Sequence, residues 1–389
     1  MIVLRQAELY APERLGRQDL LIAGGTIVAM ASRLPDLPAA LRAAELDLGG
    51  LRVIPGLIDG HVHLTGGGGE AGPHTRVPPL TVTALTAGGI TTAIGVLGTD
   101  DAVRTTAELV TVTRGLRQLG LSAWCHTGGY HLPPTTLSGT VRGDIALIDE
   151  IIGVGEVAIS DHRSSQPTLD DLLRLASEAH VGGLMSGKAG IVHLHVGDGT
   201  RGLELVRQAL DTSELPARVF NPTHVNRRKA LFAEAMQLVE RGPTIDITAF
   251  PVDEGDDAWT AEDALAQYWE AGLPRERVTV SSDGGGCLPR FDHDGRVAGM
   301  DVGSPGALMG AMATLLARGC PLEQVLPPFT SNVAELLRLP GKGRLGIGAD
   351  ADLVVLAADN AVQHVMARGR WHRFDGQPRI QGPFEKEDS

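Results

Sequence analysis

Cysteine is scarce in this chain, and it has neither long apolar runs nor clusters of basic residues. Only three cysteines occur among 389 residues, at Cys125, Cys287 and Cys320, which argues against a disulfide framework and favours a reducing compartment. No stretch reaches the 18 or so consecutive apolar residues of a membrane span. The first residues, MIVLRQAELY, carry charge at Arg5 and Glu8 and do not match a signal peptide. We therefore predict a cytoplasmic protein.

The balance of charge is acidic. The chain has 34 Lys and Arg against 47 Asp and Glu, a formal charge of −13 at pH 7. Nucleic acids and anionic membranes attract basic patches, so neither is predicted as a partner. Apolar residues make up 43% and charged residues 21%, values typical of a globular protein with a substantial core. Glycine is in excess, at 50 residues, or nearly twice the usual frequency of about 7%.

Short runs rich in Val, Ile and Thr alternate with longer amphipathic patterns through the middle of the chain. The eight runs are 53–64, 91–97, 122–128, 151–160, 190–197, 217–224, 244–250 and 278–284. Amphipathic helices are predicted between them, for example at 170–180, 201–210, 228–241 and 261–271. This alternation predicts parallel βαβ units, and eight units in about 280 residues favour an α/β fold of the (β/α)8 TIM-like type. A doubly wound sheet has the same local pattern, so the count alone does not decide.

The two ends of the chain have a different pattern. Residues 1–50 and 348–374 contain short alternating runs with Gly-Gly, Gly-Thr and Asp-Asn turn signals. We predict that both termini form one small β-sandwich domain, residues 1–52 plus 341–389, beside a barrel at 53–340. Residues 382–389 are predicted to be a polar tail.

Histidines occur where a barrel would place its active site. His61 and His63, in PGLIDGHVH, are two residues apart on a predicted strand, so both side chains project from one face. Two imidazoles on one face form half of a metal site, and barrel active sites lie at the C-terminal ends of the strands. Other predicted strands end in further polar residues, namely His193, His195, His224 and Asp283. Together these positions predict a metal site at the barrel mouth.

The sequence resembles the amidohydrolase superfamily of metal-dependent hydrolases. PGLIDGHVH, the Gly24-Gly25 turn and GADADLV at 348–354 carry this resemblance. Within the superfamily the chain is similar, over nearly its whole length, to the isoaspartyl (β-aspartyl) dipeptidase family. The segments that carry this narrower likeness occur in the family's order and are GGGGEAGP (66–73), GVLGTD (95–100), TGGYHLP (127–133), AISDHRS (158–164), HVGD (195–198), PTHVNR (222–227) and SSDGGG (281–286).

The resemblance implies a binuclear metal centre with two divalent ions, usually zinc. Its ligands would be His61, His63 and Asp283 for the more buried ion, and His195 and His224 for the second. In the family a carboxylated lysine also bridges the two ions. That lysine lies on the fourth strand, within an I-G-V-K-x-A-I-S segment.

This chain departs from the family at the bridging position. Aligned from the Ala-Ile-Ser side, Glu156 stands at the lysine position with one extra residue upstream. Its carboxylate also offers two oxygens, but with about 3–4 Å less reach. We predict a bridging role, with a glycine bulge at Gly155 moving Glu156 inward. The alternative is a solvated or salt-bridged Glu156 beside a single metal ion. His193 would be a neighbouring barrel residue and not a ligand.

The implied reaction is the hydrolysis of isoaspartyl dipeptides to L-aspartate and a second amino acid. By the resemblance, a metal-bridged hydroxide attacks the amide carbon. Asp283 accepts the proton of the attacking water and returns it to the leaving amine. Tyr130 donates a hydrogen bond to the oxyanion.

A β-aspartyl dipeptide carries one ammonium and two carboxylates, and the resemblance implies a matching set of charges. Glu70 would pair with the ammonium, while Arg163 and Arg227 would bind the carboxylates. Thr99 would add a further contact. Cys287 stands where the family has a small hydroxyl residue that contacts a substrate carboxylate, and a thiol is the weaker donor.

Two other functions stay open at the level of sequence. Another amidohydrolase, such as an N-acyl-D-amino-acid deacylase, a hydantoinase or a dihydroorotase, would not need Glu70 together with two arginines. A non-catalytic scaffold would not need its metal ligands, yet the ligand residues are present. The likeness also implies a homo-oligomer, an octamer in the family, with a dipeptide as the small-molecule partner.

Overall fold

The computed structural model of the chain describes residues 1–41, 43–291, 294 and 296–385. Residues 386–389 of the predicted tail therefore lie outside the described residues. The described ranges contain the strands β1 Ile2–Tyr10, β2 Arg14–Ala23, β3 Thr26–Ala31, β4 Ala44–Asp47, β5 Arg52–Pro55, β6 Leu57–Val62, β7 Ile90–Gly95, β8 Ser122–Thr127, β9 Ile151–Ile159, β10 Ile191–Val196, β11 Phe220–Thr223, β12 Ile245–Thr248, β13 Val278–Ser281, β14 Cys287–Phe291, β15 Val297–Val302, β16 Leu353–Leu356, β17 Val362–Ala367, β18 Arg370–Phe374 and β19 Gln377–Pro378. The α-helices in the same ranges are α1 Val82–Ala87, α2 Thr106–Gln118, α3 Val141–Leu147, α4 Leu169–Ser186, α5 Glu204–Thr212, α6 Lys229–Val239, α7 Ala261–Glu270, α8 Ala307–Ala317, α9 Leu322–Val325 and α10 Ser331–Leu336.

Strands β6 to β13 form a TIM-like α/β barrel. In the described part of the chain, β6 to β11 make a six-stranded parallel sheet, and β12 pairs in parallel with β13. The ring closes between β13 and β6, where Val62 bridges Gly284 and His63 N donates to Gly284 O at 2.9 Å. Between β11 and β12, Asn221 Nδ2 donates to Thr244 O at 2.8 Å. Each of the eight predicted runs overlaps one of these strands, so the approximate positions of the barrel strands are confirmed.

The first predicted run, 53–64, is divided between two sheets. Gly56 separates β5 from β6, and β5 pairs with β1 and β16 instead of joining the barrel. A side chain at Gly56 would overlap that of Thr91 on β7. Glycine therefore allows the chain to pass closely from one sheet into the other.

Both ends of the chain contribute to one further sheet. Among the described residues it has nine strands in the order β19-β18-β17-β16-β5-β1-β2-β3, with β4 paired to β1. Some of its buried apolar side chains, such as Leu4, Leu20 and Leu353, form a cluster separate from the barrel core. Others, such as Ile54, Val354 and Val365, belong to the barrel core. A buried lysine joins this sheet to the barrel, because Lys342 Nζ donates to Asp352 Oδ2 at 2.6 Å and to Ser122 Oγ, at the start of β8, at 2.5 Å.

Helices α1, α2, α3, α4 and α7 begin at threonine side-chain caps, whereas α5, α6 and α8 have none. Thr168 and Asp171 form a reciprocal capping box at the start of α4, and Thr260 caps α7. The helices predicted at 170–180, 201–210, 228–241 and 261–271 correspond to α4, α5, α6 and α7. No helix in the described ranges is long and apolar enough to cross a bilayer.

Candidate metal centre and substrate pocket

The C-terminal ends of the barrel strands bring the predicted metal ligands into one buried cluster. The six residues are at most 8% exposed and are His61, His63, Glu156, His195, His224 and Asp283. Three groups have ligand atoms within 4.8 Å of one another, and they are His61–His63–Glu156, His61–His224–Asp283 and Glu156–His195–His224. Because these groups overlap, the six residues form one continuous cluster.

Glu156 lies at the centre of the cluster. Its Oε2 lies 3.1 Å from His195 Nδ1 and 3.3 Å from His224 Nε2. Its Oε1 lies 3.2 Å from His63 Nε2. His61 Nε2 lies 3.6 Å from Oε2. Oε1 therefore faces His63, and Oε2 faces His61, His195 and His224.

A bulge in β9 brings Glu156 to this position. In the pairing of β9 with β10, Gly155 and Glu156 together stand opposite the single residue His193. Such a two-against-one arrangement is a β-bulge, so the predicted bulge at Gly155 is confirmed. A side chain at Gly155 would lie 2.5 Å from the His193 carbonyl oxygen, which explains why this position is glycine.

The charges of the cluster suit a divalent cation. Burial raises the pKa of Glu156, but the surrounding histidines, His61 first among them, hold it well below its usual range. Burial lowers the pKa of His61, but Glu156 and Asp283 raise it well above its usual value. His61 Nε2 and Asp283 Oδ1 are buried and lie 3.4 Å apart, and Asp283 Oδ1 is 3.1 Å from His63 Nε2. Neither atom has a hydrogen bond of good geometry within the described residues. Buried imidazole nitrogens and carboxylate oxygens are the donors that divalent transition metals such as zinc take, so these residues fit a divalent metal site.

A cavity of about 760 Å³ opens beside the cluster. All the predicted substrate-binding residues and the predicted catalytic tyrosine line it, namely Glu70, Thr99, Tyr130, Arg163, Arg227 and Cys287. His63, Glu156 and Asp283 line the same cavity. The structure thus joins the metal cluster and the charged residues in a single pocket.

Glu70 is positioned through one of its two carboxylate oxygens. Thr99 Oγ1 donates to Glu70 Oε1 at 3.0 Å, and Arg163 Nη1 lies 3.5 Å from the same oxygen. Glu70 Oε2 is buried and accepts no hydrogen bond from any residue that the structure describes. The geometry therefore leaves one carboxylate oxygen on the cavity wall available for a cationic ligand.

Asp161 connects Arg163 to the metal cluster, and sequence reasoning missed it. Asp161 Oδ2 accepts from Arg163 Nη2 at 2.8 Å and lies 3.0 Å from His195 Nε2. Burial raises the pKa of Asp161, but His195 and Arg163 lower it well below its usual range. Arg227 Nη1 donates to Val196 O at 3.0 Å. The position of Asp161 in AISDHRS, two residues before Arg163, was the only available signal.

Tyr130 lies at the boundary between the cluster and the cavity. Its Oη lies 2.7 Å from His195 Nδ1, the nitrogen that also faces Glu156. The Arg163 guanidinium lies 5.4 Å from the centre of its ring. Burial, reinforced by the charge of Glu156, raises the pKa of Tyr130 well above its usual value. The phenol therefore keeps its proton and is able to donate it in a hydrogen bond.

Comparison with known proteins agrees with this geometry. A sequence model of the amidohydrolase family matches residues 52–372, and the chain belongs to this family. It is 39% identical to the β-aspartyl dipeptidase of Fervidobacterium islandicum AW-1, crystallised with β-Asp-Leu. That match covers 99% of this chain and 98% of the other, with a TM-score of 0.93. Within the family, this chain groups with the β-aspartyl dipeptidases.

More distant relatives share the fold. An allantoinase from Deinococcus radiodurans is 26% identical over 96% of this chain and 90% of its own length. A D-hydantoinase structure is 19% identical, covers 98% of this chain and 96% of its own, and gives a TM-score of 0.70. At that identity the likeness shows the barrel architecture and not the substrate.

Proposed function

We propose that this chain is a metal-dependent dipeptidase that hydrolyses β-aspartyl dipeptides to L-aspartate and a second amino acid. The observation that carries the proposal is one cavity that joins a buried imidazole–carboxylate cluster to Glu70, Arg163 and Arg227. One anion and two cations match the single ammonium and two carboxylates of the substrate. The 39% identity to a β-aspartyl dipeptidase supports the same substrate class.

Two divalent ions, zinc by preference, are proposed for the cluster. The first would be held by His61, His63, Asp283 and Glu156 Oε1, and the second by His195, His224 and Glu156 Oε2. His63 lies on the Oε1 side of Glu156, and His195 and His224 lie on its Oε2 side. His61 Nε2 is 3.6 Å from Oε2 and is assigned to the first ion because it also lies 3.4 Å from Asp283 Oδ1. When bound, such ions lower the pKa of a coordinated water and polarise the amide carbonyl.

Side chains of the protein would then carry out proton transfer, oxyanion stabilisation and substrate binding. Asp283 accepts the proton of the attacking water through its carboxylate, whose Oδ1 lies 3.1 Å from His63 Nε2, and returns it to the leaving amine. Tyr130 donates a hydrogen bond to the oxyanion as charge develops there. Thr99 holds Glu70 toward the substrate ammonium, and Asp161 keeps the Arg163 guanidinium in place for a carboxylate.

An assay of three substrate types tests the proposed function. Metal-loaded protein is given β-Asp-Leu, α-Asp-Leu or an N-acetyl amino acid, and product release is followed by chromatography. We expect turnover of β-Asp-Leu, with the other two slower by at least about 100-fold, because they present the three charges in a different arrangement or lack some of them. Turnover of the acetylated substrate alone would instead identify a deacylase.

Hydantoin and allantoin extend this assay to the alternative suggested by the more distant relatives. Neither ring carries an ammonium or a carboxylate, so neither uses the pairing that Glu70, Arg163 and Arg227 offer. We expect no turnover of either compound above that of metal-free protein. Efficient ring opening with no release of aspartate from β-Asp-Leu would overturn the proposed function in favour of a cyclic amidase.

Tyr130→Phe is expected to lower kcat for β-Asp-Leu by about 10²–10³-fold, the usual effect of losing one oxyanion donor. KM and metal content should change little, because phenylalanine keeps the ring against Arg163. Tyr268→Phe is the matched control, since its buried hydroxyl donates to Pro274 O at 2.6 Å, away from the cavity. Steady-state kinetics compare kcat and KM of the two variants. Equal kcat values for the two variants would remove Tyr130 from the mechanism.

Cys287→Ser is expected to lower KM for β-Asp-Leu by about three- to tenfold, because a hydroxyl is a stronger hydrogen-bond donor than a thiol. Burial and the carboxylate of Glu70 raise the pKa of Cys287 to about 12. With its pKa raised this far, the thiol stays protonated from pH 7 to 9, so activity should resist iodoacetamide over that range. Cys320→Ser serves as the control. Loss of activity in Cys287→Ser on the scale of a lost nucleophile would contradict this account.

We also propose that the terminal sheet is a separate small β-sandwich domain, residues 1–52 plus 341–389, beside the barrel at 53–340. Its own hydrophobic cluster, which includes Leu4, Leu20 and Leu353, supports this division. The cytoplasm as compartment and a homo-oligomeric assembly stay predictions.

A further inference from the structure

A chain of buried hydrogen bonds runs through the barrel interior to the metal cluster. It starts at the Thr244 carbonyl oxygen, which accepts from Asn221 Nδ2 at 2.8 Å. Asn221 Oδ1 lies 2.7 Å from His193 Nδ1, and His193 Nε2 lies 2.8 Å from His61 Nδ1. The side chains of Asn221, His193 and His61 are at most 2% exposed. Solvent water therefore has little access to these hydrogen bonds.

Each hydrogen bond in this series determines which atom donates and which accepts in the next one. The Thr244 carbonyl accepts only, so the Asn221 amide nitrogen must face it and the amide oxygen must face His193. That oxygen also accepts only, so the proton of His193 is on Nδ1 and its Nε2 is left to accept. His61 must then donate from Nδ1. A neutral His61 consequently presents the lone pair of Nε2 to Glu156 and Asp283.

We propose that His193 and Asn221 are positioning residues that fix the tautomer of His61, so that its Nε2 is ready to bind a metal ion. Neither residue touches the substrate cavity. Hydrogen bonds of this kind to the second nitrogen of a ligand histidine orient the ring and hold its tautomer. The inference rests on the proposed function only in requiring that the cluster binds metal.

Packing around His193 holds its ring in place. His126 stacks on it, with ring centres 5.5 Å apart and planes inclined by 16°. Gly155 leaves room for the His193 backbone and Cβ, which a side chain there would overlap. The bulge that moves Glu156 inward thus also makes space for His193.

The test compares two substitutions of His193. In His193→Gln, the side-chain oxygen reaches about as far as Nε2 and still accepts from His61. In His193→Asn, the shorter side chain reaches Asn221 but not His61. Zinc dissociation constants are measured on purified protein by competition with a chromophoric chelator, and circular dichroism checks the fold. Asn221→Leu removes the amide oxygen that accepts from His193 Nδ1.

We expect His193→Gln to bind both zinc ions within about threefold of the wild type. His193→Asn and Asn221→Leu should weaken the affinity for one zinc ion by about 10–100-fold and leave the affinity for the other unchanged. His126→Phe controls for packing, since neither nitrogen of His126 has a hydrogen-bond partner among the described residues, and it should keep wild-type affinity. Equal zinc affinity in the Gln and Asn variants would overturn the inference. A wild type that binds no zinc would instead overturn the proposed function.

Discussion

Glu156→Ala is expected to lower kcat/KM for β-Asp-Leu by at least about 10³-fold, and to leave at most one tightly bound metal ion per chain. The physical reason is that Oε1 lies 3.2 Å from His63 Nε2 while Oε2 lies 3.1 Å from His195 Nδ1. Removing this carboxylate takes a ligand from both sides of the cluster at once, which is worth several kcal/mol of transition-state stabilisation. Elemental analysis measures the metal content and steady-state kinetics measure kcat/KM, both on the same preparation.

Glu150→Gln is the matched control for this prediction. Glu150 is also a largely buried carboxylate and directly precedes β9, but it accepts from Arg114 Nε at 3.0 Å, away from the metal cluster. We expect this variant to keep wild-type metal content and activity. One metal ion per chain in the wild type, unchanged in Glu156→Ala, would show that Glu156 does not bridge and would favour the single-metal alternative.

Glu70→Gln is expected to lower kcat/KM for β-Asp-Leu by about 10²–10³-fold while metal content stays the same. Glutamine keeps an acceptor for Thr99, which donates to Glu70 Oε1 at 3.0 Å, but it removes the charge that would face the substrate ammonium. Leaving a buried ammonium unpaired costs a few kcal/mol in comparable complexes. The ratio of kcat/KM between wild type and variant measures this loss.

N-acetyl-β-Asp-Leu is the control substrate, because acetylation removes the ammonium and leaves both carboxylates. The wild type should turn it over slowly, and Glu70→Gln should change that slow rate by no more than about threefold. The difference between the two substrates isolates the pairing of Glu70 with the ammonium. A loss of the same size for both substrates would contradict the role assigned to Glu70.

The barrel could be predicted from the sequence because its strands are buried on both faces. Such strands appear as nearly continuous apolar runs, and the polar residues that end them are conspicuous. His195, His224 and Asp283 were found for this reason. The bulge was predicted by counting, since Gly155 is one residue too many between two aligned segments, and the pairing with β10 bears it out.

Other features depend on contacts that sequence spacing does not encode. The run at 53–64 predicts one strand, although Pro55-Gly56, a dipeptide typical of turns, divides it between two sheets. The hairpin of β14 and β15 was missed, since its strands lack the alternation of a half-buried strand. Asp161 and Asn221 are ordinary polar residues in the sequence. Their importance appears only when folding places them against His195 and His193.

The measurement that tests the central claim most directly is aspartate release from β-Asp-Leu during a zinc titration of chelator-stripped protein. We predict no release without metal, and a rise in rate that levels off at two zinc ions per chain. Full activity in the stripped protein would contradict a metal-dependent mechanism. A fully loaded protein that releases no aspartate would contradict the assignment of the substrate.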